Sequence, residues 1–291
     1  MPIRSILVPI RGADQDIHAI RSALRVARLE EAHVDVAFAR ATAEDLVAAW
    51  VGYGLAAPVP TYIGDMQDGV QQHERVAGKL VEKAAAEFGI PVVSQRDAAA
   101  RRPSLSLLVV PGVLSQIVAS IGAYYDLIVY EREPEGVDIE PFDDLVLEAG
   151  LLGARRPCFL APKLVRETFP SQIVIGWSGS VEGAQAVSAA LPFLRQADNI
   201  HIVRVCDTGA PPAGEYSLID YLRWHDLPAE LHHVPSGLNP VATALLSKAT
   251  ELQADLLVMG GFTHGPVRQN LFGGVTRDIL RHAPMPVLMA H

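Results

Sequence analysis

The chain repeats itself, and this repeat constrains its fold more than any other feature of the sequence. Residues 6–12 (Ile-Leu-Val-Pro-Ile-Arg-Gly) resemble residues 173–179 (Ile-Val-Ile-Gly-Trp-Ser-Gly) at an offset of 167. Residues 126–129 (Asp-Leu-Ile-Val) resemble residues 255–258 (Asp-Leu-Leu-Val) at an offset of 129. The difference between the two offsets leaves about 38 additional residues in the first copy. Two copies of one pattern predict two copies of one structural unit.

Each copy alternates short strand patterns with amphipathic helix patterns. Residues 5–10 are β-rich, and residues 15–31 place apolar side chains at helical spacing. Residues 255–259 are almost continuously apolar, which is typical of a strand that is buried on both faces. The predicted strands are 5–10, 33–39, 105–110, 126–130, 157–161, 172–176, 199–205, 255–259 and 287–290. The predicted helices are 15–31, 69–88, 112–123, 142–153, 181–194, 239–252 and 275–282.

This alternation predicts an α/β fold with two tandem, doubly wound parallel sheets. Parallel strands need crossover connections, and helices in those connections cover both faces of the sheet. The copies meet near residues 162–170, a segment between prolines without clear periodicity, so we expect domains at 1–165 and 166–291. Such sheets bind ligands beyond the carboxyl ends of their strands, where the strand order reverses.

Composition narrows the classes of function. The 291 residues carry a formal charge of −9, which argues against nucleic acid as a partner because phosphate backbones select basic surfaces. The two cysteines, Cys158 and Cys206, exclude a disulfide scaffold and a multi-cysteine metal site. We find no signal peptide and no apolar run of the roughly 18 residues that a membrane span needs. We therefore expect a cytoplasmic protein that does not contact a membrane.

Glycines cluster at both ends of residues 259–276, the loop that connects the predicted strand 255–259 to the predicted helix 275–282. Gly260 and Gly261 follow a buried strand and could take positive φ or allow a ligand to approach closely. Gly273 and Gly274 place backbone N–H groups at a helix N-terminus, where anions bind, and Thr276 could add a hydroxyl. The alternative is that these glycines only form turns, because the chain has neither a Walker A motif nor a GxGxxG motif.

This loop and the repeat resemble the universal stress protein family in its tandem two-domain form, over nearly the whole chain. ATP-binding members of that family carry glycine, two residues, glycine, nine residues, glycine and then serine or threonine. Gly260 and Gly273 match the first and third glycines, whereas Thr263 replaces the second and Gly274 replaces the hydroxyl residue. Ser178 stands where these members usually end the first strand with aspartate.

The resemblance implies a Rossmann-like fold of the adenine nucleotide α-hydrolase-like type that binds ATP or ADP, with or without magnesium. The second copy would hold the phosphates, with adenine near the ends of strands 173–177 and 201–205. The nucleotide-binding residues implied are Gly260, Gly261, Thr263, Gly273, Gly274, Val275, Thr276 and Ser178.

The first copy lacks these features, so we expect it to be degenerate and not to bind ATP. Glu131 stands opposite Gly260, and it opens an acidic segment, residues 131–138, that would repel a triphosphate. Arg11 replaces the aspartate of the first strand.

The function that follows is a stress-response binding and signalling module, and the resemblance also implies a homodimer. It further implies that domains associate through their last strands, and residues 287–290 could form such an edge strand. One alternative is slow ATP hydrolysis, although the loop holds no carboxylate and Asp278 lies one helical turn beyond it. The other alternative is a protein–protein scaffold that binds no nucleotide.

We expect no catalytic residues and no metal site. His232 and His233 look like a metal-binding pair. In a strand, however, adjacent side chains point to opposite faces and cannot share an ion.

Overall fold

The computed structural model describes residues 2–42, 44–45, 60–94, 103–131, 141–163, 165–166, 168–206, 215–235, 237, 240–261 and 274–291. The chain divides into two compact units. The N-terminal unit comprises Ile3–Glu131 and Pro141–Arg156, and the C-terminal unit comprises Pro157–His291. A domain boundary at residue 165 stays a prediction.

The N-terminal unit is built on a parallel sheet with the strand order β3-β2-β1-β4. Its described strands are β1 (Ser5–Ile10), β2 (His33–Arg40), β3 (Ser104–Pro111) and β4 (Leu127–Glu131). Its described α-helices are α1 (Ile17–Glu30), α2 (Pro60–Phe88), α3 (Leu114–Ile121) and α4 (Pro141–Glu148). Short 3-10 turns at Asp14–Asp16 and Gly122–Tyr124 and a π turn at Ala149–Gly153 adjoin α1, α3 and α4.

The C-terminal unit has the strand order β5-β10-β9-β6-β7-β8. Its pairs are parallel except for β5, which runs antiparallel to β10. Its described strands are β5 (Cys158–Ala161), β6 (Gln172–Gly176), β7 (Asn199–Val205), β8 (Glu230–Val234), β9 (Leu256–Gly260) and β10 (Val287–Ala290). Its described helices are α5 (Val181–Leu194), α6 (Glu215–Trp224), α7 (Val241–Glu251) and α8 (Gly274–His282). The predicted α/β fold is confirmed.

The apolar strand patterns form the core of each unit. Ile6, Leu7 and Val8 of β1 are fully buried, and so are Leu256 and Leu257 of β9. Strands that are buried on both faces need helices above and below them, and the crossover helices provide this cover.

The repeat is also visible in the hydrogen bonds that fix the first strand of each unit. The carboxylate of Asp126 accepts from the N–H of Ser5 at 3.0 Å, at the start of β1. The carboxylate of Asp255 accepts from the N–H of Gln172 at 3.0 Å, at the start of β6. The two donors are related by the offset of 167 and the two acceptors by the offset of 129, so the copies share details of structure as well as sequence.

Three expectations from the sequence need correction. Residues 287–290 do not form an edge, because β10 pairs with β9 on one side and with β5 on the other. Helix α6 and strand β8 were not expected, and α2 begins at Pro60 instead of residue 69.

Within the described residues, no helix is long and apolar enough to cross a membrane.

Candidate functional site at the switch points of the two sheets

In both units the strand order reverses beside the first strand. In the C-terminal unit, β7 and β8 lie on one side of β6, whereas β9 lies on the other side. Gly176 of β6 is in register with Met259 of β9, so the segments that follow these two strands begin side by side. In the N-terminal unit β1 and β4 have the same relation. Such switch points are the places where doubly wound sheets bind ligands.

The loop after β1 wraps around a carboxylate of its own chain. The N–H groups of Arg11, Gly12 and Ala13 all donate to Oδ2 of Asp16, at 3.1, 2.8 and 2.8 Å. Three successive amides that converge on one point form a nest, a backbone arrangement that binds anions. Gly12 has a φ of 80° in this nest. Burial raises the pKa of Asp16, and the three amides and Arg11 act in the opposite direction.

The loop after β6 has the same backbone shape as the loop after β1. Gly179 has a φ of 80°, which equals the φ of Gly12. Ser180 (φ −84°, ψ 161°) matches Ala13 (φ −104°, ψ 152°) within the scatter of a single conformation. The second and third residues of the two loops, Gly12 and Ala13 in one and Gly179 and Ser180 in the other, therefore have matching backbone angles.

The carboxylate is missing from the second loop because Gly183 stands at the position of Asp16, at the offset of 167. Within the described residues, the N–H groups of Ser178, Gly179 and Ser180 donate to no protein acceptor. Ser178 and Gly179 are exposed, whereas Asp16 is buried. Two of the three residues of the second loop are thus exposed, and its amides have no acceptor among the described residues.

Side chains of the second loop prepare the start of α5. The hydroxyl of Ser180 caps the helix by accepting from the N–H of Gly183 at 3.1 Å, and Ser178 donates to Ser180 Oγ at 3.1 Å. The ring of Trp177 lies against Gly183, and its Nε1 is buried without a hydrogen-bond partner in the part of the chain described. A buried donor of this kind normally has an acceptor.

Gly260 is required for packing. A Cβ at this position would lie 2.5 Å from the nitrogen of Gly183 and 2.8 Å from the carbonyl carbon of Glu182. The end of β9 therefore abuts the first turn of α5, and the expectation of a positive φ at Gly260 is wrong. The N–H of Gly261 donates to the carbonyl of Ala290 at 2.9 Å, so this amide belongs to the sheet.

The other predicted site residues lie at or before the start of α8. Gly274 and Val275 are exposed, whereas Thr276 is buried. Thr263 and Gly273 lie outside the described residues. The structure thus brings Ser178 and Gly260 to the same switch point, and the assignment of the eight residues to nucleotide binding stays a prediction.

The N-terminal switch point carries two carboxylates where the C-terminal switch point has two glycines in contact. Glu131 corresponds to Gly260 at the offset of 129, and Asp16 corresponds to Gly183 at the offset of 167. The difference between Glu131 and Gly260 was predicted from the sequence, whereas the difference between Asp16 and Gly183 was not. The sequence repeat could have revealed this second difference. Its offset of 167 aligns Asp16, at the start of the first helix of one unit, with Gly183, at the start of the first helix of the other.

The fold and the two switch points define a class of tandem α/β proteins. In each unit, the loops after two neighbouring parallel strands begin side by side at a switch point of the kind that binds ligands. Residues 233–291 match the universal stress protein family. A universal stress protein from Archaeoglobus fulgidus superposes with a TM-score of 0.70 at 14% identity, over 98% of this chain and 97% of its own. A functionally unknown protein from Pseudomonas aeruginosa superposes with a TM-score of 0.56 at 15% identity, over 99% of this chain and 92% of its own.

Together these findings confirm the resemblance to the universal stress protein family in its tandem form. The family match itself covers the C-terminal segment, and the two superpositions extend the likeness of fold over nearly the whole chain. No curated protein matches the chain in sequence.

Proposed function

We propose that this protein is a cytoplasmic stress-response module that binds one adenine nucleotide, ATP or ADP, in its C-terminal unit. The observation that carries the proposal is the difference between the two nests. In one loop a carboxylate of the same chain accepts from three amides, and in the other loop the equivalent amides have no acceptor within the described residues.

The chemistry of the second loop fits a phosphate group. Three N–H donors that converge on one point favour an anion, and the positive end of the α5 dipole lies beside them. Ser178 adds a hydroxyl at the same place. No carboxylate of the described residues accepts from these amides, whereas Asp16 accepts from the equivalent amides of the other unit. We therefore assign the nucleotide phosphates to residues 178–180 together with the loop that leads into α8.

The N-terminal unit would not bind a nucleotide in the same way. Asp16 already accepts from all three amides, and a phosphate would have to displace this buried side chain. Glu131 adds a second carboxylate at the end of β4. This unit would instead act as a partner of the nucleotide-binding unit. Self-association, if it occurs, would need a surface other than β10, since both sides of that strand are paired.

Isothermal titration of the full chain with ATP tests the proposal, and the expected stoichiometry is one nucleotide per chain. Gly183→Asp would place a carboxylate beside the second nest, as Asp16 does in the first. We expect this change to weaken ATP binding at least tenfold, or about 1.4 kcal/mol. Mass spectrometry of nucleotide that co-purifies with the protein would identify the ligand as ATP or ADP.

Gly183→Ala is the matched control, because it adds the same Cβ without the charge. That Cβ would lie 3.3 Å from the Trp177 ring, so a small shift of the ring accommodates it. We expect ATP affinity within about threefold of the unchanged protein, or about 0.6 kcal/mol. Equal affinities for Gly183→Asp and Gly183→Ala, or no binding at millimolar ATP, would contradict the proposal and favour the scaffold.

A further inference from the structure

Three potential metal ligands meet on one face of the outer strands of the C-terminal unit. His201 of β7 is in register with Glu230 of β8, and His232 follows Glu230 on the same face of β8. Nδ1 of His201 lies 3.1 Å from Nε2 of His232. Oε2 of Glu230 lies 3.6 Å from Nδ1 of His201 and 3.7 Å from Nε2 of His232.

These separations fit a tetrahedral metal ion. Zinc binds imidazole nitrogen and carboxylate oxygen at about 2.0–2.2 Å, so two ligand atoms of a tetrahedral site lie about 3.3 Å apart. All three measured separations are close to this value, and the ligand atoms lie within 4.8 Å of one another. An ion could therefore bind through small rotations of side chains, without movement of either strand.

The surroundings of His201 favour its neutral imidazole, and the exposure of Glu230 leaves room for a further ligand. Burial lowers the pKa of His201, His232 lowers it further, and Glu230 opposes these effects. Neutral imidazole is the form that binds metals. The side chains of His201 and His232 are only 12% and 15% exposed, whereas Glu230 is 68% exposed. Two shielded nitrogens and an exposed carboxylate leave a fourth position open to water.

Lys248 is a nearby positive charge that acts against a cation. It lies on α7, which packs on β7 and β8, and it lowers the pKa of His201. Its ammonium pairs with Glu251 at 2.7 Å, which offsets part of its effect.

We propose that His201, Glu230 and His232 form a site for a divalent transition metal of the zinc type. The ligands come from two strands, so the ion would fasten the outer strand β8 to β7. The site lies where β7 and β8 begin, whereas residues 178–180 follow the carboxyl end of β6. Because parallel strands begin and end at opposite edges of a sheet, the metal site and the proposed nucleotide site are separate.

The test titrates the full chain, without an affinity tag, with Zn²⁺ in competition with a chromogenic chelator. We expect one Zn²⁺ per chain, and visible absorption bands of tetrahedral coordination when Co²⁺ replaces it. Mg²⁺ should not compete, because it prefers octahedral oxygen ligands. His201→Gln, His232→Gln and Glu230→Gln should each lower Zn²⁺ affinity at least tenfold.

His233→Gln is the matched control, since His233 is exposed on the other face of the same strand. It should leave the zinc affinity unchanged, and so should Gly183→Asp in the proposed nucleotide site. Glu230→Gln decides the outcome if a histidine variant fails to fold, because Glu230 is exposed. No stoichiometric zinc, or equal losses for His232→Gln and His233→Gln, would overturn the proposal and leave a hydrogen-bonded imidazole pair.

Discussion

The loops after β1 and β6 share one backbone conformation and differ in what their amides bind. Residues 11–13 donate to Asp16, whereas the equivalent amides of residues 178–180 find no acceptor within the described residues. The backbone needs only Gly12 or Gly179 at the position of positive φ, and both units retain it. The fold can therefore keep the shape of an anion site in both units. The residue at one position, Asp16 or Gly183, determines whether a side chain of the protein occupies that site.

The two units also differ at a second position, which is Gly260 in the C-terminal unit and Glu131 in the N-terminal unit. Gly260 lets the end of β9 approach the first turn of α5 at Gly183. In the N-terminal unit both positions carry acidic side chains, Glu131 and Asp16. This pair of positions thus carries a close packing contact in the C-terminal unit and two acidic side chains in the N-terminal unit.

The largest effect on stability is expected for Gly260→Ala. Its Cβ would lie 2.5 Å from a backbone nitrogen, so β9 or α5 must move, at a cost of about 3 kcal/mol. Urea denaturation of the purified variant measures this change. Gly274→Ala is the control, because its Cβ meets nothing within 4 Å, and it should stay within about 0.5 kcal/mol of the parent protein. A stable Gly260→Ala variant would refute the packing role.

A smaller loss of stability is expected for Asp16→Ala. This change removes the acceptor of three amides at a buried position, which costs about 2 kcal/mol. Asp14→Ala, two residues away and exposed, should change the free energy of unfolding by no more than about 0.5 kcal/mol. Denaturation curves for both variants measure the difference, and equal stabilities would show that Asp16 does not hold the loop.

The smallest effect concerns pH. Because burial raises the pKa of Asp16 above its value in the unfolded chain, the folded state favours the protonated acid. The contribution of Asp16 to the free energy of unfolding is therefore complete below the pKa of the unfolded state. It declines as the pH rises through the pKa of the folded state. Relative to Asp16→Asn, the parent protein should lose stability from about pH 4 upward. Urea denaturation of both proteins across this range tests the sign, and a relative gain would mean that the three amides outweigh burial.

The sequence predicted the elements that carry strong patterns. Continuously apolar strands such as β9, and helices with an apolar stripe such as α5, were found within one or two residues. Strand β8 was missed because its sequence, Glu-Leu-His-His-Val, has no apolar alternation, and its pairing with β7 is visible only in the structure. The resemblance to a family identified Gly260 but not Gly183, and the reason for Gly260 lies in its contact with α5.

The proposed metal ligands also could not be predicted from local sequence patterns. The argument that His232 and His233 cannot share an ion agrees with their alternation along β8, yet it considered only neighbours in sequence. His201 is 31 residues away and meets His232 through the pairing of β7 with β8. Long-range pairs of this kind cannot be derived from local periodicity.

A crystal structure of the full chain with ATP and magnesium tests whether the nucleotide phosphates bind at residues 178–180. We expect a phosphate oxygen within about 3 Å of the amides of residues 178–180. We also expect Asp16 still to accept from residues 11–13 in the N-terminal unit. A nucleotide in the N-terminal unit with Asp16 displaced, or phosphates that do not contact residues 178–180, would refute this assignment.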